Sequence, residues 1–270
     1  MNFMEKIAAA AKKNNSLVCV GLDPDLAKLP EAVKNAADPI FEFNKQIIDA
    51  TCDAVCAYKP QAAYYAGQDC DESLKKSIAY IKERAPEVPV ILDVKRGDIG
   101  STAEWYAKEA FDRYGADAVT VNPYMGLDAV KPFLDYADKG VIILCRTSNP
   151  HSGDLQNLVA DGMPLYKHVA KLVRDEWNYN NNAALVVGAT YPEELKELRE
   201  MCPTLPFLVP GVGAQGGDVE KVVKFGCDNT WGGIIVNSSR GIIYASKGAD
   251  FAEKSGVAAR ELRDLINSFR

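Results

Sequence analysis

Short apolar runs recur along this chain, and helical periodicity fills the intervals between them. The runs cover residues 16–23, 54–59, 88–93, 116–121, 141–145, 184–188, 207–210 and 233–237. They are rich in Val, Ile, Leu and Ala, and most end at a Gly, Pro, Asn or Asp, which is how buried strands read. Between them, residues 39–52, 73–84, 101–114, 192–201 and 219–225 space their apolar positions as amphipathic helices do. Strands alternating with helices in this number predict an α/β fold of the (β/α)8 type, a TIM barrel. No Pro/Gly/Ser-rich linker interrupts the pattern, so residues 1–270 read as one domain. The longest interval, after the fifth run, holds a further helical stretch at 164–177 and the polar segment 178–182. Residues 148–183 therefore read as a long loop and lid over the barrel mouth.

A barrel carries its chemistry at the C-terminal ends of its strands. Here those ends are marked. The first run ends in Asp23, the second in Lys59, and the third passes through Asp93 and Lys95 to Asp98. Asp93 and Lys95 are two residues apart and so leave a strand on one face. Ser101 stands three residues before Glu104, the spacing of a capping box opening the next helix. Opposite charges that alternate in this way hold one another ionised. A lysine so placed can stabilise a carbanion and then protonate it. A solvated turn with three charges is the blander reading of the same stretch.

The last two strand ends differ in kind. The seventh run leads into Pro210-Gly211-Val212-Gly213-Ala214-Gln215-Gly216-Gly217, and the eighth into Asn237-Ser238-Ser239-Arg240-Gly241. Glycines let backbone N–H groups approach an anion, and barrels bind phosphate after strands seven and eight. Arg240 supplies charge and bidentate geometry. His151 falls in the long loop and reads as a surface histidine, and His168 as a structural one.

Composition narrows the function. Of 270 residues, 47% are hydrophobic and 25% charged, as in an ordinary globular enzyme. The formal charge of −6 argues against nucleic-acid binding. No apolar run approaches a membrane span, and the first residues lack a signal-peptide pattern. Seven scattered cysteines do not form a disulfide framework, and with only two histidines no zinc spacing exists. The expected setting is the cytoplasm, with no metal.

The residues quoted above resemble orotidine 5′-phosphate decarboxylases, in their longer bacterial branch. The resemblance runs from Gly21-Leu22-Asp23 to Ser239-Arg240-Gly241. It rests on Asp93-x-Lys95-x-x-Asp98 with a preceding strand-end Lys59, and on the paired glycine-rich loop. It implies a carboxy-lyase that converts orotidine 5′-monophosphate to uridine 5′-monophosphate (UMP) and CO2 without a cofactor. It further implies that Lys59, Asp93, Lys95 and Asp98 form a catalytic network, with Lys95 giving the proton to C6 and Asp93 near the departing carboxylate. Asp23, Ile99, Thr102, Ser148, Pro210, Gln215 and Arg240 would bind substrate: Asp23 at the ribose, where Lys59 would also hold a hydroxyl, Ser148 at the pyrimidine edge, Arg240 at the phosphate. Asp98 and Thr102 would act across a homodimer interface. Where the family commonly has Gly-Arg straight after strand eight, this chain has Asn237-Ser238-Ser239-Arg240. Three alternatives stay open on the residues alone: a metal-using sugar-phosphate lyase on a related barrel, a Schiff-base aldolase using Lys59 or Lys95, and a barrel that binds a phosphorylated ligand without turnover.

Overall fold

The computed structural model describes residues 1–212, 217–230 and 232–270. Eight parallel strands form one sheet: β1 (Val18–Leu22), β2 (Ala57–Pro60), β3 (Ile91–Arg96), β4 (Ala118–Val121), β5 (Gly140–Arg146), β6 (Ala183–Val187), β7 (Phe207–Pro210) and β8 (Ile234–Ser238). Their spatial order is β2-β1-β8-β7-β6-β5-β4-β3. The two ends meet through bridges Tyr58–Val90 and Gln61–Asp93, which close the barrel. Each expected strand and helix has its counterpart, with boundaries moved by a few residues where apolar runs continue into loops.

The interior is built in layers. One side chain from every strand meets in a small inner core: Cys19, Ala57, Ile91, Ala118, Ile142, Ala184, Leu208 and Ile235. Phe3, on the N-terminal helix Phe3–Lys13, plugs the barrel floor beneath them. A Cβ on Gly140 would collide with the Phe3 ring, so only glycine fits there. The second, larger core lies between the strands' outer faces and the surrounding helices.

Strand side chains alternate, so the next inward position on each strand is two residues on. Counting up from the inner core gives Gly21, Lys59, Asp93, Thr120, Leu144, Val186, Pro210 and Asn237. The apolar floor thus passes directly into a layer that carries most of the polar strand-end residues. On β1 this position must be glycine, because a side chain there would overlap Ser239.

Two expectations fail locally. The Ser101–Glu104 capping box does not form: the helix is Gly100–Lys108, its N-cap is Ile99, and no side chain caps it. Ser101 already lies inside the first turn, where its hydroxyl cannot reach back to the N-terminal amides. The spacing does produce a capping box at Asn2 and Glu5. The expected helix over 101–114 changes hydrogen-bond pattern at Glu109–Arg113, where one π-turn ends it.

The segment after β5 is not the simple polar loop that composition suggests. It folds into short helices at Pro150–Ser152 and Gly153–Gln156, then a hairpin of Val159–Ala160 with Met163–Pro164. Leu155, Leu158 and Val159 are exposed on it. The helix Leu165–Leu172 and the turn Val173–Trp177 follow, as expected.

Candidate active site

Asp93 is the hub of the polar layer. It is buried, and its two carboxylate oxygens face different partners. Lys59 Nζ lies 2.9 Å from Oδ2. Lys95 Nζ lies 2.5 Å from Oδ1, which also accepts from the Thr120 hydroxyl at 2.8 Å. Lys59 is buried, whereas the Lys95 side chain keeps 44% of its surface exposed.

Burial alone would push the Asp93 carboxyl up, but the charges of Lys59 and Lys95 outweigh it and hold the acid well below the usual carboxylate range. Burial would likewise push Lys59 down. Asp93, Asp23 and Cys19 reverse that and raise the ammonium above its ordinary value. Asp93 is therefore a fixed anion and Lys59 a fixed cation. Neither is suited to exchange a proton near neutral pH.

The backbone here is bent to serve the site. The β3–β4 register shifts between Leu92 and Arg96, a bulge. Lys95 sits at φ +49°, a left-handed conformation uncommon for a lysine. Thr120 Oγ1 on β4 accepts the N–H groups of both Val94 and Lys95, at 3.0 Å each, and so pins the bulge. Bulges re-aim side chains at barrel rims. This one lets Lys95 reach back to Asp93.

A cavity of about 340 Å³ opens beside this network. Asp23, Lys59, Asp93, Pro210, Asn237 and Arg240 are among the residues of its wall. The chain at Asp23 is tied down by several bonds: the Tyr65 hydroxyl donates to Leu22 O at 3.1 Å, and the Tyr244 hydroxyl accepts from Asp25 N at 2.8 Å. Arg240 is exposed at the start of the short helix Arg240–Ile243.

Ser148 follows β5 and packs against Gly188 at the end of β6, where a Cβ would collide with it. Its carbonyl accepts from the Thr190 hydroxyl at 3.3 Å. Asp98 does not join the Lys59–Asp93–Lys95 network of its own chain; its Oδ1 accepts from Ile99 N at 2.8 Å. Ile99 and Thr102 are exposed beside it. Gln215 lies outside the described residues. His151 is exposed near Asp154. His168 Nε2 lies 2.7 Å from Ala160 O, which ties its helix to the hairpin.

The sequence does not single out three further residues of the site. Thr120 and Asn237 emerge only by counting up their strands from the apolar floor. Arg146 ends β5, where a register shift between Leu144 and Arg146 turns it out of the barrel. There it is buried, donates to Glu194 and Ser152, and stacks 3.9 Å from the Tyr191 ring centre. Arg146 Nη1 also donates to Gln156 Oε1, and Gln156 holds Thr147 through both its amide ends. The start of the long loop is thus clamped next to Ser148.

Residues 16–254 match the family model described as "Orotidine 5'-phosphate decarboxylase / HUMPS family". An orotidine 5′-phosphate decarboxylase of Cellvibrio japonicus is 56% identical over 272 residues, covering all of both chains. One from Ralstonia pickettii is 56% identical over 270 residues, again with full coverage of both. The structure of Leishmania donovani OMP decarboxylase superposes with a TM-score of 0.86 at 38% identity, covering 100% of this chain and 98% of that one. With the lysine-bracketed carboxylate in place at the end of β3, these likenesses span the whole barrel, and the chain belongs to the orotidine 5′-phosphate decarboxylase family.

Proposed function

We propose that this enzyme carries out its reaction, orotidine 5′-monophosphate to UMP and CO2, through the Lys59–Asp93–Lys95 array, with Lys95 as the proton donor to C6. The observation that carries the reading is the buried carboxylate held between two ammonium groups. Breaking the C6–carboxylate bond leaves an electron pair on C6. An ammonium fixed in advance beside that carbon stabilises the pair with no reorganisation. Lys95 then transfers a proton from Nζ to C6, and CO2 leaves. Its partial exposure gives solvent a route to replace that proton. Asp93 stays anionic throughout and holds the lysine in position. Lys59, salt-bridged on the far oxygen, keeps Asp93 charged and unable to take up a proton.

The remaining roles follow the cavity. Asp23 meets the ribose, Arg240 the phosphate, and Ser148 the pyrimidine edge, with Pro210 and Gln215 contributing from the β7 loop. Residues 148–183 close over the substrate, with Arg146 as the fixed anchor. The assembly is a homodimer. Ile99, Trp105, Tyr124, Met125 and Leu127 are exposed apolar side chains on the segments around Asp98 and Thr102, the kind of surface a partner covers. Asp98 and Thr102 then serve the neighbouring site. Seven unpaired cysteines fit a reducing compartment, the cytoplasm.

The test is the ultraviolet absorbance change of orotidine 5′-monophosphate with purified protein in excess EDTA, run beside Lys95→Ala. Conversion by the unmodified chain alone supports the assignment. Equal conversion by both removes Lys95 from the chemistry. Conversion by neither would overturn the reading and direct attention to magnesium-dependent sugar-phosphate chemistry.

A further inference from the structure

Asn237 is 7% exposed in the cavity wall, yet its Oδ1 has no hydrogen-bond partner among the described residues. Asp23 Oδ1, in the same wall, is in the same state. Buried polar atoms are nearly always paired, and leaving one unpaired destabilises the fold. Two unpaired acceptors in one cavity therefore point to a ligand that brings donors.

The position of Asn237 says which donors. Asn237 lies two residues above Ile235 of the inner core, so its side chain points into the barrel. In register it stands between Cys19 on β1 and Pro210 on β7. Asp23 leaves the neighbouring strand, and Lys59 pairs in register with Gly21 of that strand. Arg240 is three residues further along the same chain. Ser148, by contrast, follows β5, which β6 and β7 separate from β8 in the ring. Asn237 thus stands on the Asp23 side of the mouth, below the arginine and away from the base reader. UMP carries three donors: the pyrimidine N3–H and the two ribose hydroxyls. Only the hydroxyls belong between the phosphate and the base.

Resting on the proposed placement of the substrate, we infer that the Asn237 carboxamide is a further binding residue, accepting a hydrogen bond from a ribose hydroxyl and selecting ribonucleotides over deoxyribonucleotides. At 7% exposure the amide is largely shielded from bulk water while it lines the cavity wall. Its neighbour Asp23 takes the second hydroxyl. The segment Asn237-Ser238-Ser239 in place of a glycine then adds a sugar contact at the strand end, rather than merely lengthening the phosphate turn.

The experiment measures dissociation constants of UMP, 2′-deoxy-UMP and 3′-deoxy-UMP for the unmodified chain and for Asn237→Ala and Asn237→Ser, with inorganic phosphate as a competitor. One hydrogen bond corresponds to a loss of about tenfold. Asn237→Ala should bind UMP about tenfold more weakly, and the penalty for one of the two deoxy analogues should shrink by the same factor. Asn237→Ser, which keeps an acceptor, should retain part of the discrimination. Phosphate inhibition should be unchanged. Equal weakening of UMP and both deoxy analogues overturns the inference, as does weakened phosphate inhibition, which would assign the amide to the phosphate. If neither variant folds, the unmodified chain still tests it: with Asn237 and Asp23 each taking one hydroxyl, both deoxy analogues should bind more weakly than UMP, and binding of either one as tight as UMP overturns the inference. Failure of the unmodified chain to bind UMP at all would remove the substrate placement itself, a distinct result.

Discussion

The Thr120 hydroxyl on β4 donates to Asp93 Oδ1 at 2.8 Å while accepting two backbone amides of the β3 bulge. One side chain therefore orients the carboxylate and pins the unusual backbone that carries Lys95. Thr120→Val keeps the shape and deletes the hydroxyl. It leaves the Val94 and Lys95 amides short of a partner and Asp93 Oδ1 with Lys95 alone, so stability should fall by about 1–3 kcal/mol. We expect a lower kcat with little change in UMP affinity, read by steady-state kinetics beside a UMP titration. An unchanged kcat would mean that the bulge holds its geometry without this bond.

Lys95→Ala deletes the group assigned to protonate C6 and should remove turnover while UMP still binds. Excess EDTA should leave the unmodified chain's rate unchanged, since no step of the mechanism uses a metal. Substantial turnover by the variant would contradict the proton-donor role.

The Lys59–Asp93 pair makes a prediction about pH. The Asp93 carboxyl is depressed in the folded chain below its ordinary 3.8. The stability this provides is complete above that unfolded value and is lost as pH falls below it toward the folded one. The Lys59 ammonium is raised, so its contribution is complete below its ordinary 10.5 and is lost only as pH climbs beyond that value through the folded one. Across the neutral range both contributions are present. Lys59→Met breaks a buried pair and should cost about 3–5 kcal/mol at neutral pH. It also removes a depressing charge from Asp93, so the acid-side loss of stability should begin at higher pH than in the unmodified chain. Melting temperature from pH 7 down to pH 3 checks both statements. Superimposable acid limbs would show that Lys95 alone keeps Asp93 ionised.

Arg240 stands exposed at the cavity rim. Arg240→Ala should weaken UMP by about tenfold or more and leave uridine unaffected, because a charge-assisted contact to phosphate exists only with the nucleotide. Calorimetric titration of both ligands makes the comparison. Equal loss for the two would place the arginine elsewhere.

Asp98 bonds to the backbone of its neighbour Ile99 rather than to the lysine array of its own chain. If it completes the partner's site, mixing inactive Lys95→Ala with inactive Asp98→Ala should restore activity through hybrid dimers that hold one intact site. No recovery, in mixtures shown to exchange subunits, would count against a shared site.

The barrel was legible in the sequence because eight short β-branched runs alternating with amphipathic helices admit few other arrangements. The charged strand ends were legible too: Asp23, Lys59, Asp93 and Lys95 lie within two residues of where apolar runs stop, and the barrel rule says which end matters. These are local properties, period and spacing, and the chain carries them before it folds. Tertiary structure alone decided what depends on partners distant in sequence. Thr120 is an ordinary strand threonine until β4 pairs with the β3 bulge. Arg146 reads as one more strand-end charge until a register shift turns it outward onto Tyr191 and Glu194. Asn237 is a loop-entry asparagine until closure of the ring buries its amide beside Asp23. Ser101 has the spacing of a cap, but the helix starts at Gly100, two residues earlier than that cap requires. A strand's alternation fixes which side chains face inward, but only the closed barrel fixes which inward side chains meet.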